Sequence, residues 1–216
     1  MQKQSARIIA FIGAALGWSA VITQFYLMIS NRVVSIPETT LRFFSFFTIN
    51  TNILVALCFT FIFLRSNSVL GRFFSKTATI AAITVYITIV GIVYNVILRS
   101  TWDPQGMQKL VDELLHSCIP VLFIIFWLIF APIEELQWKN AFPWLIYPIV
   151  YMIYAIVHGV ITKFYPYPFV DVNKLGYNKA LLNAGAVLLV IFLLSLALIA
   201  TAKLMKKFDD GKKVVS

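Results

Sequence analysis

Apolar residues in this chain fall in long, nearly unbroken runs, not in the alternation of a strand or the one-sided stripe of a soluble helix. Six runs are almost free of charge: roughly Ile8–Ser30, Leu41–Leu64, Ala78–Leu98, Glu113–Ile133, Phe142–Thr162 and Lys179–Lys203. A helix needs about 20 apolar residues to cross the hydrocarbon core of a bilayer. Lipid tolerates neither irregular backbone nor open strand edges, so each run predicts a membrane-spanning helix, with Gly91, Pro120 and Pro148 tolerated inside. The first run follows Lys3 and Arg7, as in a secretion signal, but it outlasts a signal's apolar region and carries Trp18 mid-span. It is read as a retained helix. The connections are short and punctuated by Pro37, Gly71, Pro104-Gln105-Gly106 and Tyr165-Pro166-Tyr167-Pro168, leaving one domain over residues 1–216. The expected fold is an all-α membrane protein, a bundle of six transmembrane helices.

Composition agrees with that pattern. Of 216 residues, 60% are hydrophobic and 12% charged, and the mean hydropathy is +0.86. A soluble domain carries about twice that share of charge. The 18 basic residues against 9 acidic ones give a formal +9, which in a soluble protein would suggest nucleic acid. Here Lys and Arg sit mostly in connections and a tail, where they meet lipid headgroups, so membrane lipids and not nucleic acid are the expected partners. Cys58 and Cys118 both lie inside apolar runs, which leaves no disulfide framework and no cysteine zinc site.

Orientation follows from the same basic residues. Lys3, Arg7, Arg65, Arg72, Lys76, Lys139, Lys203, Lys206, Lys207, Lys212 and Lys213 fall on one side, 11 in all. Arg32, Arg42, Arg99, Lys109, Lys163, Lys174 and Lys179 fall on the other, 7 in all. The excess places both termini in the cytoplasm and the chain in the cell membrane as a multi-pass protein.

Polar side chains inside membrane helices are costly and mark candidate sites. They gather at the predicted outer ends: Arg42, Ser45, Thr48, Thr51 and Asn52; Tyr94, Asn95 and Arg99; Asp112, Glu113, His116 and Ser117; Tyr154 and His158; Tyr177, Asn178 and Asn183. At 1.5 Å per residue, Ser45, Asn95, His116 and His158 lie roughly 5–8 Å in from their helix ends. Ser45, Thr48 and Asn52 would share one stripe of the second helix, and Asp112 and His116, four apart, can touch. Each has a plainer alternative. Serine and threonine in membrane helices commonly bond the backbone, and a stripe such as Tyr147, Tyr151, Tyr154 and His158 commonly packs helices together.

A hydroxyl becomes a nucleophile beside a base, and Ser45 with His116 supply both at one depth, with Asp112 placed to orient the imidazole. Thr48 is the next candidate nucleophile. Asn52, Thr48 and Asn95 are candidate oxyanion donors with His158 in support, and Arg42, Tyr154 and Asn183 are candidate pocket residues. Glu113-x-x-His116 with His158 resembles a fragment of a metal site, but the acids needed from facing helices are too few, so neither metal nor other cofactor is expected. The chain has no G-x-S-x-G elbow, phosphate-cradling loop or dinucleotide fingerprint.

Three segments carry a resemblance. Leu41-Arg42-Phe43-Phe44-Ser45-Phe46-Phe47-Thr48-Ile49-Asn50-Thr51-Asn52, Leu114-Leu115-His116-Ser117-Cys118-Ile119-Pro120 and Phe164-Tyr165-Pro166-Tyr167-Pro168-Phe169 resemble, in order, segments of the androgen-induced / androgen-dependent TFPI-regulating protein family. The resemblance implies a six-helix intramembrane hydrolase that uses a threonine nucleophile and a histidine on fatty acid esters of hydroxy fatty acids. The family's Lys/Arg-aromatic-x-Thr falls on Arg42, Phe43, Phe44 and Ser45, with serine replacing threonine, and its histidine falls on His116. Asn52 stands where the family has glutamine, and Glu113 where the animal proteins have a further histidine, departures that bear on substrate more than on reaction class. The compact loops suggest a bacterial relative. The leading expectation is a lipid-ester hydrolase acting on an acyl-chain substrate. Its rival is a non-enzymatic lipid- or solute-binding protein or transporter that uses the same polar cavity.

Overall fold

The computed structural model describes residues 2–131 and 136–215. Among them no strand occurs, and six helices are long and apolar enough to cross a membrane: Gln4–Ser30, Phe47–Leu64, Thr77–Thr101, Gly106–Phe130, Trp138–Thr162 and Val172–Phe208. The chain is an all-α, multi-pass membrane protein. It falls into two compact units, residues 1–131 and 132–216. Pro132 and Ile133, the end of the expected fourth span, and the side chains of Lys3, Lys212 and Lys213 lie outside the described residues.

The first unit holds four spans. Helix α1 (Gln2–Ser30) packs antiparallel on α3 (Phe47–Leu64). Small residues make that approach close, since lipid supplies no hydrophobic drive and packing must hold the helices together. A side chain at Gly17 would stand 2.9 Å from Ala56 Cβ and 3.3 Å from its Cα, and one at Gly13, a turn earlier, would enter the Phe59 ring. Mid-span Trp18 donates its indole N–H to Thr60 Oγ1 at 3.1 Å, so this polar group is satisfied in lipid. Phe59 in turn meets Phe123 and Phe126 edge-on, with ring centroids 5.0 and 5.2 Å away, and so brings the fourth span against α3.

Helix α2 (Ile36–Phe44) starts where Ser35 accepts from the Glu38 N–H, with Pro37 in its first turn and a Glu38–Arg42 pair at 2.5 Å one turn on. The expected second helix, Leu41–Leu64, is therefore two. The chain leaves α2 at Ser45, Phe46 is extended (φ −83°, ψ 125°), and α3 begins at Phe47. The polar side chains around the junction bond its backbone: Ser45 Oγ donates to Arg42 O at 2.6 Å, and Asn50 Nδ2 donates to Phe44 O at 2.8 Å. Such bonds give the backbone an alternative to the helical ladder. The short helix α4 (Val69–Phe74) is tied to α3 by Cys58 Sγ, 3.3 Å from Phe74 O.

Helix α5 (Thr77–Val93) runs on through a π-helical turn, Tyr94–Leu98, and a 3₁₀ turn, Arg99–Thr101. The fourth span comprises α6 (Gly106–Glu113), a second π turn (Leu114–Cys118) and α7 (Ile119–Phe130). It begins seven residues before the expected Glu113, because Gly106–Glu113 is an amphipathic helix that burial of Val111 and Asp112 anchors. In the second unit, α8 (Ile146–Thr162) is preceded by 3₁₀ turns at Trp138–Ala141 and Pro143–Leu145. Helix α9 (Val172–Val215) bends at Gly176, whose φ of 73° suits a residue without a side chain. Met152, Val170 and Ala184 form this unit's small core, with Ile156, Tyr167, Phe169 and Val187 around it.

Candidate functional site

The polar convergence in the first unit is built on the two π turns, which lie against one another. In the turn Leu114–Cys118 the Ile119 N–H bonds back to Leu114 O, five residues away. Pro120 has no N–H to offer Leu115, five residues back, or His116, four back. Two carbonyls in a membrane helix are thereby left without those intrahelical donors. Neighbouring helices supply replacements. Asn52 of α3 donates Nδ2 to Leu115 O at 3.1 Å and to its own Thr48 O at 2.9 Å. Asn95 donates Nδ2 to His116 O at 3.2 Å and to Gly91 O at 2.9 Å. Gln108 Nε2 donates to Gln24 Oε1 at 2.8 Å and joins α6 to α1.

This framework holds His116. Its Nδ1 lies 2.9 Å from Asp112 O and 3.3 Å from Asp112 Oδ1. Both partners are acceptors, so Nδ1 carries a proton and points it at Asp112, which leaves Nε2 as the ring's other nitrogen. Among the described residues Nε2 has no hydrogen-bond partner. The ring stacks on Tyr94, with centroids 3.9 Å apart and planes 12° from parallel. The Tyr94 hydroxyl donates to the other Asp112 oxygen, Oδ2. Asp112 is buried, and an ionised carboxylate there costs several kcal/mol unless donors surround it. Tyr94 and His116 are those donors. Arg99 lies 5.9 Å from the centroid of the Tyr94 ring, pairs with Glu113 and donates to Asn95 Oδ1 at 2.6 Å, closing the network near the ends of these spans.

The other expected site residues fall as follows. Ser45 is fully buried and is separated by the α2–α3 junction from the helix that carries Thr48 and Asn52, so the three do not share one helical stripe. Its hydroxyl donates to Arg42 O, whereas the hydrogen bonds of His116 run to Asp112. Arg42 is paired with Glu38, and Thr48 is buried on α3. As oxyanion donors, Asn52 and Asn95 are already engaged, since each spends its amide N–H groups on two carbonyls. Asn52 Oδ1, by contrast, is buried without a partner among the described residues.

Tyr154, His158 and Asn183 belong to the second unit. Tyr154 is partly exposed on α8, with its ring centroid 5.6 Å from that of His158. His158 Nδ1 is 3.5 Å from Thr162 Oγ1, and its buried Nε2 has no partner among the described residues. Asn183 donates to Phe169 O at 2.8 Å and so fastens the Tyr-Pro connection to α9. Nearby, outside the spans, burial raises the pKa of Tyr165 above the ordinary phenol value, with Tyr177 and Asp171 adding to the shift.

The sequence pattern puts Tyr94 and Arg99 among the polar residues at this depth without giving either a role. The signal was the acid pair: Asp112 and Glu113 at a span's end need donors, and the Tyr94 hydroxyl and Arg99 guanidinium stand at matching depth on the preceding span. Among the described residues no three His, Cys, Asp or Glu side chains gather as a metal would require. Comparison of the chain with family models, curated proteins and solved structures finds no match.

Proposed function

We propose that the protein is an intramembrane hydrolase of lipid esters, with Ser45 as nucleophile and His116 as general base. The observation that carries this reading is the imidazole of His116: Asp112 fixes its tautomer, Tyr94 fixes its plane, and Nε2 is left as an unengaged base inside a membrane helix. The resemblance of Arg42-Phe43-Phe44-Ser45 and of the His116 segment to the androgen-induced protein family adds the nucleophile and the substrate class, fatty acid esters of hydroxy fatty acids. In the reaction Ser45 exchanges its bond to Arg42 O for one to Nε2 and attacks the acyl carbonyl as Nε2 takes its proton. The imidazolium then protonates the departing alkoxide, and water, activated by the same nitrogen, releases the fatty acid.

Hydrolysis of a panel of lipid esters by purified protein in detergent tests the proposal. Ser45→Ala and His116→Ala should each lower turnover by about 100-fold or more, the range of general-base catalysis. The double variant should lose no more than either single one, because residues acting as a unit fail together. Ser45→Thr should keep part of the activity. A second reading, a non-enzymatic lipid-binding protein or transporter, is favoured by the Ser45–Arg42 bond, which is an ordinary structural use of serine in a membrane helix. Absence of turnover across the panel by the folded wild type would leave that reading in the lead.

A further inference from the structure

The antiparallel pairing of α1 and α3 brings Arg7 and Arg65 together at the end of the spans opposite His116. There the surface sinks into a concavity of about 360 Å³ lined by Ala6, Arg7, Ile62 and Arg65. Arg7 is held in place: its Nε donates to Phe63 O at 3.2 Å, and its guanidinium lies 5.2 Å from the centroid of the Phe63 ring. Its terminal nitrogens have no partner among the described residues. Arg65 closes α3 in the left-handed region, at φ 51° and ψ 40°, where glycine or asparagine is usual and an arginine is strained. Its guanidinium makes no hydrogen bond or ion pair among the described residues.

Two guanidinium groups with no acidic partner among the described residues, beside one concavity, repel each other, and an anion between them would relieve that repulsion. The acidic residues of this unit, Glu38, Asp103, Asp112 and Glu113, are at the other end of its spans. We propose that Arg7 and Arg65 form a clamp for a phosphate group, with the phosphodiester of a membrane phospholipid as the expected source. Guanidinium matches phosphate oxygens in paired hydrogen bonds, and Arg7 is already oriented by Phe63. The rest of the lining, Ala6 and Ile62, is apolar, which suits the glycerol backbone and first methylenes of a lipid. The clamp is independent of the ester-hydrolase reading.

Native mass spectrometry of the full chain in detergent tests it. The probes are dioleoylphosphatidylglycerol and dioleoylglycerol, which has the same chains and no phosphate. The phospholipid should be retained and the diacylglycerol lost. Arg7→Gln and Arg65→Gln should each weaken retention about tenfold, the worth of a charge-assisted hydrogen bond. Arg7→Lys and Arg65→Lys, which keep the charge without the fork, should fall between. Arg72→Gln, at the same end but outside the concavity, should bind as the wild type does. Displacement by millimolar inorganic phosphate would support the clamp with a free anion as its source; resistance to displacement would support the lipid. Full retention by the double glutamine variant, equal retention of dioleoylglycerol, or an equal loss in Arg72→Gln would overturn the proposal.

Discussion

Replacing Asn52 by leucine tests the clamp on the π turn, because leucine keeps the branched four-atom side chain, with somewhat bulkier ends, and removes both amide donors. The two bonds are unequal in consequence. Thr48 O also accepts the helical N–H of Asn52 within α3, so it stays satisfied. Leu115 O has no helical N–H from Pro120 to fall back on and is left buried without its donor. An unsatisfied buried carbonyl costs about 1–3 kcal/mol, whereas interhelical hydrogen bonds in membranes average about 0.6 and reach about 1.7 kcal/mol. About 1–2 kcal/mol is therefore expected, toward the lower end because leucine also removes Asn52 Oδ1, itself buried without a partner among the described residues. For a chain of this size that is a fall in Tm of about 2–8 °C. Thermal unfolding in detergent, followed by tryptophan fluorescence, reads it directly. A Tm equal to or above that of the wild type would refute the reasoning, since it would mean that the π turn satisfies its own carbonyls.

Tyr94→Phe removes the hydroxyl that holds Asp112 Oδ2 but keeps the ring that stacks on His116; ester turnover should fall about tenfold, short of the loss in His116→Ala. Gly17→Leu drives a side chain into the Ala56 backbone and should cost roughly 1–3 kcal/mol or more, seen as a lowered Tm in detergent. Asn183→Ala frees Phe169 O in the second unit and should lower Tm by the worth of about 1 kcal/mol, with KM for ester substrates unchanged. A raised KM in that variant would instead support Asn183 as a substrate-binding residue.

The six spans were legible because lipid demands continuous apolar helix, and composition records that demand without ambiguity. The Asp112–His116 contact was legible too, as a spacing of four on one helix. The break at Ser45–Phe46 was not. No glycine or proline marks it, and the residues flanking it suit a helix; what ends α2 is a set of bonds from Ser45 and Asn50 to backbone carbonyls. The π turns were also hidden, since a shift from four- to five-residue bonding changes no residue type. Pro120 hinted at one of them. The roles of Asn52 and Asn95 follow only once Leu115 O and His116 O are known to need donors, which is a property of two helices together and not of either one alone.

The central claim concerns one oxygen atom, Ser45 Oγ, and its reactivity. Treating the purified protein with a fluorophosphonate and locating the adduct by tandem mass spectrometry addresses that atom directly. A stoichiometric adduct on Ser45 is expected in the wild type, with its loss in His116→Ala, where the base is gone. An unlabelled wild type, an adduct on Thr48 instead, or equal labelling of Ser45 without His116 would contradict it.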